Sequence, residues 1–154
     1  SNIDIEILHE KSPLGTAGAL SLIPSNITDN LTMINGDILS NINLDELESF
    51  HKTRKNDITL CAANYKRKIP FGVITFNENQ KLSSLTEKPE INDFILGGIY
   101  CINKKIFQTV RKKKIDITDI IIESQKTGKK IEVFPIFENW NDIGTIEDLK
   151  KLNN

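Results

Sequence analysis

Two hydrophobic periods alternate along the chain. Residues 3 to 8 read Ile-Asp-Ile-Glu-Ile-Leu, an apolar and acidic alternation that predicts a strand from Ile3 to Leu8. A short helix is expected from Ala17 to Leu22, ended by Pro24. Leu31 to Ile34 is an apolar run that stops at the turn residues Asn35-Gly36-Asp37. Asn43, with Glu46 three positions later, reads as the N-cap and capping partner of a helix from Leu44 to Lys55. A strand follows at Ile58 to Ala63. Phe71 to Phe76 and Lys81 to Glu87, separated by Asn77-Glu78-Asn79-Gln80, predict a hairpin rich in Ile, Val and Phe. Gly98 to Asn103 and Ile131 to Ile136 are further strands. Between them Asp116, with Asp119 at N3, caps a helix from Ile117 to about Gln125 that Gly128 ends. Thr145 and Asp148 open a last helix through Leu149 to Leu152. Strands interleaved with helices mark an α/β domain, and strand ends such as Asn35-Gly36-Asp37 are where such sheets place ligands.

Composition narrows the class of function. The chain has 154 residues, enough for one domain that buries roughly 68–70% of the surface of its unfolded chain. With 20 basic against 21 acidic residues and a net charge of -1 it lacks the footprint of a duplex-binding protein. No apolar run reaches the roughly 20 residues of a membrane span, and no secretory signal opens the chain. Nucleic acid and membrane are therefore not expected as partners. Cys61 and Cys101 each lie in apolar runs and read as buried, reduced thiols, which fits a cytoplasmic location. Ser1-Asn2 precedes no initiator Met and Met33 is the only Met, so a fragment is expected. The basic run Arg111-Lys112-Lys113-Lys114 carries no interleaved aromatic and reads as a solvated loop. His9 and His51 stand alone, the latter expected on the exposed face of its helix.

Several signatures are absent. There is no P-loop, no Gly-x-Gly-x-x-Gly, no zinc spacing, and no Asp-x-Asp of the kind many metal-dependent glycosyltransferases carry. The informative residues sit in loops. Leu14-Gly15-Thr16-Ala17-Gly18 puts two glycines at a junction leading into a helix, where backbone can approach a ligand or simply make a tight turn. Asp37 ends a buried strand with a carboxylate, suited to Mg²⁺ or to a plain turn. Glu87-Lys88-Pro89 sets a carboxylate beside an ammonium at a strand end, able to hold a sugar hydroxyl and a phosphate or merely to form a surface ion pair. Trp140-Asn141-Asp142-Ile143-Gly144-Thr145 adds a second turn carboxylate before a capped helix.

Taken in order, Leu14-Gly15-Thr16-Ala17-Gly18, Asn35-Gly36-Asp37, Phe71-Gly72-Val73-Ile74, Glu87-Lys88-Pro89, Gly98-Ile99-Tyr100 and Trp140-Asn141-Asp142-Ile143-Gly144-Thr145 resemble the sugar-1-phosphate nucleotidyltransferases. Their mannose-1-phosphate guanylyltransferase-like branch is the most similar. The resemblance implies a three-layer, Rossmann-like sheet of the GT-A type, incomplete at its N-terminus, and an enzyme that joins a nucleoside triphosphate, GTP favoured, to a sugar 1-phosphate with release of pyrophosphate. It implies Asp37 and Asp142 as ligands of Mg²⁺ and Lys88 as the group that binds the sugar phosphate. Glu87 would take sugar hydroxyls and Gly72 would offer its N–H to the sugar. Gly15 and Gly18, with Leu14 and Thr16, would flank the base and ribose, and Gly36, Gly98 and Thr145 would complete the substrate site. Positioning and charge neutralisation suffice for such chemistry without a Ser or Cys nucleophile.

Two departures accompany the likeness. The family's Gly-Gly-x-Gly-Thr-Arg-Leu and Pro-Lys segments do not occur, so residues 1–154 are expected to be the C-terminal two-thirds of a nucleotidyltransferase domain, inactive alone. If the strands it lacks are central, an apolar strand edge would be exposed, and the resemblance leaves a homo-oligomer open. Leu96-Gly97-Gly98 stands where many relatives have Asn-Ala-Gly, which removes an amide from the expected sugar contacts. Two other readings compete: a non-catalytic sugar-phosphate-binding module without the triphosphate loop, and a GT-A glycosyltransferase, which the missing Asp-x-Asp disfavours.

Overall fold

The computed structural model describes residues 4–24, 26 and 29–145. In chain order the elements are α1 (Gly15–Gly18) with a 3₁₀ turn over Ala19–Leu22, β1 (Asn30–Ile34), β2 (Ile38–Ser40), α2 (Leu44–Arg54), β3 (Ile58–Lys68), β4 (Val73–Phe76), β5 (Leu82–Thr86), β6 (Glu90–Asn103), α3 (Lys104–Phe107), α4 (Ile117–Lys126), β7 (Ile131–Ile136) and β8 (Trp140–Asp142). The main sheet has the order β1-β6-β3-β7. Strand β6 runs antiparallel to both neighbours and β7 parallel to β3, so the sheet is mixed. Two ladders, β2 with β8 and β4 with β5, stand beside it.

Alternation along the central strands divides the core in two. Ile58, Tyr100 and Ile102 pack with Ala17, Leu20, Ile106, Phe107, Ile117 and Ile120. Cys61, Ala63, Ile99 and Cys101 point the other way, to Leu47 of α2 and Ile136. Helices α1, α3 and α4 therefore cover one face and α2 the other, which makes the expected three layers of helix, mixed sheet and helix. Among the described residues no helix is long and apolar enough to cross a membrane.

Local chemistry explains the helix ends. Asn43 Oδ1 accepts from the N–H groups of Asp45 and Glu46 at 3.1 and 3.2 Å, so the expected cap forms. Glu46 returns its bond to the Asn43 side-chain amide at 2.9 Å rather than to the backbone. Lys55 ends α2 in the left-handed region at φ 55°. At α4, Asp119 Oδ2 accepts the Asp116 N–H at 3.2 Å, the return bond of a capping box.

Three expectations are corrected. Residues 4 to 8 form no strand, and Ile5 is 82% exposed: alternation alone makes none without a ladder for its N–H and C=O groups, and no described strand pairs with it. The first helix starts at Gly15, two residues early, and passes into a 3₁₀ turn. His51 is 2% exposed, not on an outer face. Helix α2 is charged almost all round, so its pattern hides its inner side; Leu47 and His51, four apart, are its two buried residues.

Two strands are longer than their apolar cores. Beyond Ala63 and before Leu96, β3 and β6 continue as a ribbon with Asn64 opposite Phe94 and Lys68 opposite Glu90. Backbone bonding and cross-strand ion pairs hold it, Arg67 to Asp93 at 3.5 Å and Lys68 to Glu90 at 3.8 Å. The hairpin β4–β5 turns where expected, with Asn77 Oδ1 accepting from Asn79 N and Lys81 N. The last helix expected after Thr145 lies outside the described residues.

Candidate functional site

The two turn carboxylates are drawn together by a ladder no pattern foretold. After β1 the Asn35 N–H donates to Gly98 O at 2.9 Å, and the chain reverses into β2. Ile38 then pairs with Asp142 of β8, and the Ile143 N–H donates to Asp37 O at 2.8 Å. Asp37, in the turn just before β2, and Asp142, at the end of β8, thus stand at the same end of one ladder although far apart in sequence, both exposed. Among the described residues neither is in an ion pair. Trp140 ties β8 to the main sheet, its Nε1–H donating to Gly97 O at 2.8 Å.

A glycine pair makes room for this arrangement. Leu60 faces Tyr100 and Ala62 faces Leu96, so Cys61 alone stands against three residues of β6, a bulge at Gly97 and Gly98. Gly98 has φ +68°, and a Cβ there would lie 2.7 Å from Ile38 Cγ1 and 3.1 Å from Asn35 Nδ2. A Cβ on Gly97 would lie 2.8 Å from Ile136 Cδ1. The turn carrying Gly36 and Asp37 rests directly on this bulge.

The second cluster forms at the base of the hairpin β4–β5, at the end away from its turn. Val73 pairs with Thr86, which brings Gly72 against Glu87: a Cβ on Gly72 would lie 3.0 Å from Glu87 Oε2. Lys88 is held in the left-handed region at φ 45°. Its Nζ is 4.0 Å from Glu87 Oε1, with the two side chains 67% and 70% exposed. A pair so exposed is weak and leaves both groups free to bind something else.

Leu14 to Gly18 engage a different part of the fold. Thr16 N–H donates to Asp116 Oδ1 at 3.0 Å, Thr16 Oγ1 accepts from Ile117 N at 2.9 Å, and the Ala17 N–H donates to Ile115 O at 3.1 Å. Leu14 O accepts from Ile115 N, and a Cβ on Gly15 or Gly18 would strike Ile115 O or Lys113 O. Three of the N–H and hydroxyl groups expected to meet a ligand are thus spent on α4 and the loop before it. None of these bonds reaches Asp37, Asp142, Glu87 or Lys88. Thr145 is exposed beside Gly144.

Sequence reasoning missed Asn35, Gly97 and the Trp140 indole as the parts that set the Asp37 turn, although all three stand within quoted segments. It also missed a buried relay behind the sheet. Asn56 Nδ2 donates to Thr59 Oγ1 at 3.0 Å, Thr59 lies 2.8 Å from His51 Nδ1, and His51 Nε2 lies 3.2 Å from Asn30 Oδ1. Since Asn103 Nδ2 also donates to Asn30 Oδ1, that oxygen is an acceptor, which makes Nε2 the protonated nitrogen of a neutral His51. Burial lowers the His51 pKa, against Asp57 and Glu48, which raise it. The cysteines are free and buried as expected, and burial pushes the Cys61 thiol up to about 12, which disqualifies it as a nucleophile at neutral pH.

The nucleotidyl transferase family model matches residues 1–154. A putative mannose-1-phosphate guanyltransferase of Sulfolobus acidocaldarius is 27% identical over 148 residues, covering 94% of this chain and 41% of that protein. The mannose-1-phosphate guanylyltransferase catalytic subunit beta of Dictyostelium discoideum is 26% identical, with 95% and 42% covered. The chain therefore spans about two fifths of the length of these curated relatives. HddC of Yersinia pseudotuberculosis, solved with GMP-PN, superposes with a TM-score of 0.63 at 22% identity over 92% of this chain and 62% of that one. A putative glucose-1-phosphate thymidylyltransferase of Bacillus anthracis gives 0.65 at 23% identity over 94% and 61%. The match of the family model along residues 1–154 establishes that the chain belongs to the nucleotidyl transferase family.

Proposed function

We propose that the protein joins a nucleoside triphosphate, GTP favoured, to a sugar 1-phosphate, giving a nucleotide sugar and pyrophosphate. The observation that carries this reading is the ladder linking Asp37 to Asp142, two exposed carboxylates without a cationic partner among the described residues. Such a donor set fits Mg²⁺, which takes one or two carboxylates and completes its shell with phosphate oxygens and water. Bound there, the ion would neutralise charge on the phosphates. Lys88 holds the sugar phosphate by its ammonium, Glu87 accepts hydrogen bonds from sugar hydroxyls, and Gly72, bare of a Cβ, lets the sugar approach its N–H. These residues act by position and charge, which is what in-line displacement at phosphorus asks of a protein.

The test is pyrophosphate release by the full-length protein with Mg²⁺, each nucleoside triphosphate in turn, and a panel of hexose and heptose 1-phosphates. GTP with one sugar phosphate should turn over, and Asp142→Ala should lower kcat by about a hundredfold or more. Sugar-phosphate binding without pyrophosphate release in any combination would replace this reading with that of a binding module.

A further inference from the structure

A groove of about 710 Å³ lies between α3, α4 and the loop joining them, built from residues outside both carboxylate clusters. Its size falls in the range of roughly 300–1,000 Å³ typical of small-molecule sites. Ile106, Val110, Ile115 and Ile120 make an apolar floor. Around it stand Lys105 from α3, Arg111 and Lys113 from the loop, and Lys129 beyond α4. Among the described residues none of these four cations is in an ion pair. Two acids share the wall, Asp119 and Glu123, and Asp119 already accepts the Asp116 N–H at 3.2 Å. Cationic charge is thus in excess.

The two threonine hydroxyls of the groove are spent within the fold. Thr109 spends its Oγ1–H on Ile106 O at 2.7 Å, and Thr127 spends its own on Glu123 O at 2.9 Å. Ser124 also lines the groove and is only 6% exposed.

We propose that this groove is a binding site for a small organic anion with a flat apolar body and a phosphate or similar head group. The apolar body would lie on the isoleucine floor, while the head group meets Arg111 and Lys113, where guanidinium offers a paired contact. The proposal is independent of the nucleotidyl transfer reading, since it shares no residue with that site. It also gives the basic run of the sequence a task beyond solvation.

The experiment is a fluorescence titration of the protein with 1-naphthyl phosphate. Saturable binding is expected, weakening as salt is raised. Arg111→Ala with Lys113→Ala should raise Kd about tenfold, as the loss of a charge-assisted contact does. Both residues are exposed, so the double variant should keep the parent's unfolding transition. Absence of saturation in the millimolar range, or undiminished binding by the folded double variant, overturns the proposal. So does binding abolished by Lys88→Ala instead, because the probe would then occupy the cluster at the base of the hairpin.

Discussion

At the scale of single residues, Lys88 and His51 show opposite uses of an unfavourable position. Lys88 sits at φ 45°, a backbone state that costs a residue with a Cβ about 1–2 kcal/mol and that glycine adopts freely. Nothing in its packing requires a lysine there, since its side chain is exposed. Lys88→Gly is therefore expected to leave stability unchanged or raise it by up to about 1 kcal/mol in denaturant unfolding. The same change should raise KM for the sugar phosphate, and a variant both less stable and equally active would count against the assigned role. His51 is buried neutral, its pKa lowered chiefly by desolvation. The unfolded chain then binds a proton more readily than the folded one below the ordinary histidine value near 6.5, so this contribution is complete above that pH and is lost as pH falls through the folded value. Unfolding free energy measured from pH 8 down to pH 5 should decline, and the decline should be shallower in His51→Gln. An identical slope in both proteins would assign it to other groups.

Between elements, the bulge in β6 decides where Asp37 stands. Gly98→Ala must place a methyl 2.7 Å from Ile38 Cγ1 while holding φ +68°, so a loss of about 2 kcal/mol or more is expected. Gly36→Ala, in the same turn, meets no atom within 4 Å and has no positive φ, and should cost well under half as much. Equal effects in thermal unfolding would mean the bulge does not support the turn. This junction also marks how far the sequence could be read. Helices α2 and α4, strands β1 and β7 and the hairpin were legible because caps, turn residues and buried periods agree there. The ladder of β2 with β8 was not, because three residues with one buried side carry no period, and their pairing depends on a partner far along the chain. Pairing Asp37 with Asp142 was within reach through the resemblance alone; the ladder that brings their turns to one end was not. The ribbon of β3 and β6 was hidden for a related reason: exposed on both sides, it keeps the strand's hydrogen bonding without the strand's pattern. His51 was misplaced because its partners, Thr59 and Asn30, lie on other strands.

For the whole molecule, the three layers place both cysteines at the deepest point of the sheet. Cys61 and Cys101 lie on the face covered by α2, at 0% and 1% exposure, and Gly97 packs its backbone against Cys61 O. A reagent reaches either sulfur only if α2 lifts from the sheet or the sheet itself opens. Thiolate is the reacting form, and burial raises both pKa values, Cys61 to about 12, so partial exposure without rehydration would still leave the sulfurs slow. The two thiols should thus report opening of the α2 layer rather than motion of loops, and they should react together. With an excess of a disulfide reagent at neutral pH, the native protein is expected to release almost no thiolate over minutes, whereas the same sample in denaturant should release two equivalents at once. Titrating denaturant below the unfolding midpoint should raise both rates in parallel, with the slope of global unfolding. Phe50 and Phe134, edge to face at 5.4 Å, clamp α2 to β7, so Phe50→Ala should speed labelling of both cysteines before it changes the far-ultraviolet spectrum. Rapid native labelling of one thiol alone would show that the α2 face opens piecemeal, and the single cooperative layer inferred from the packing would fail.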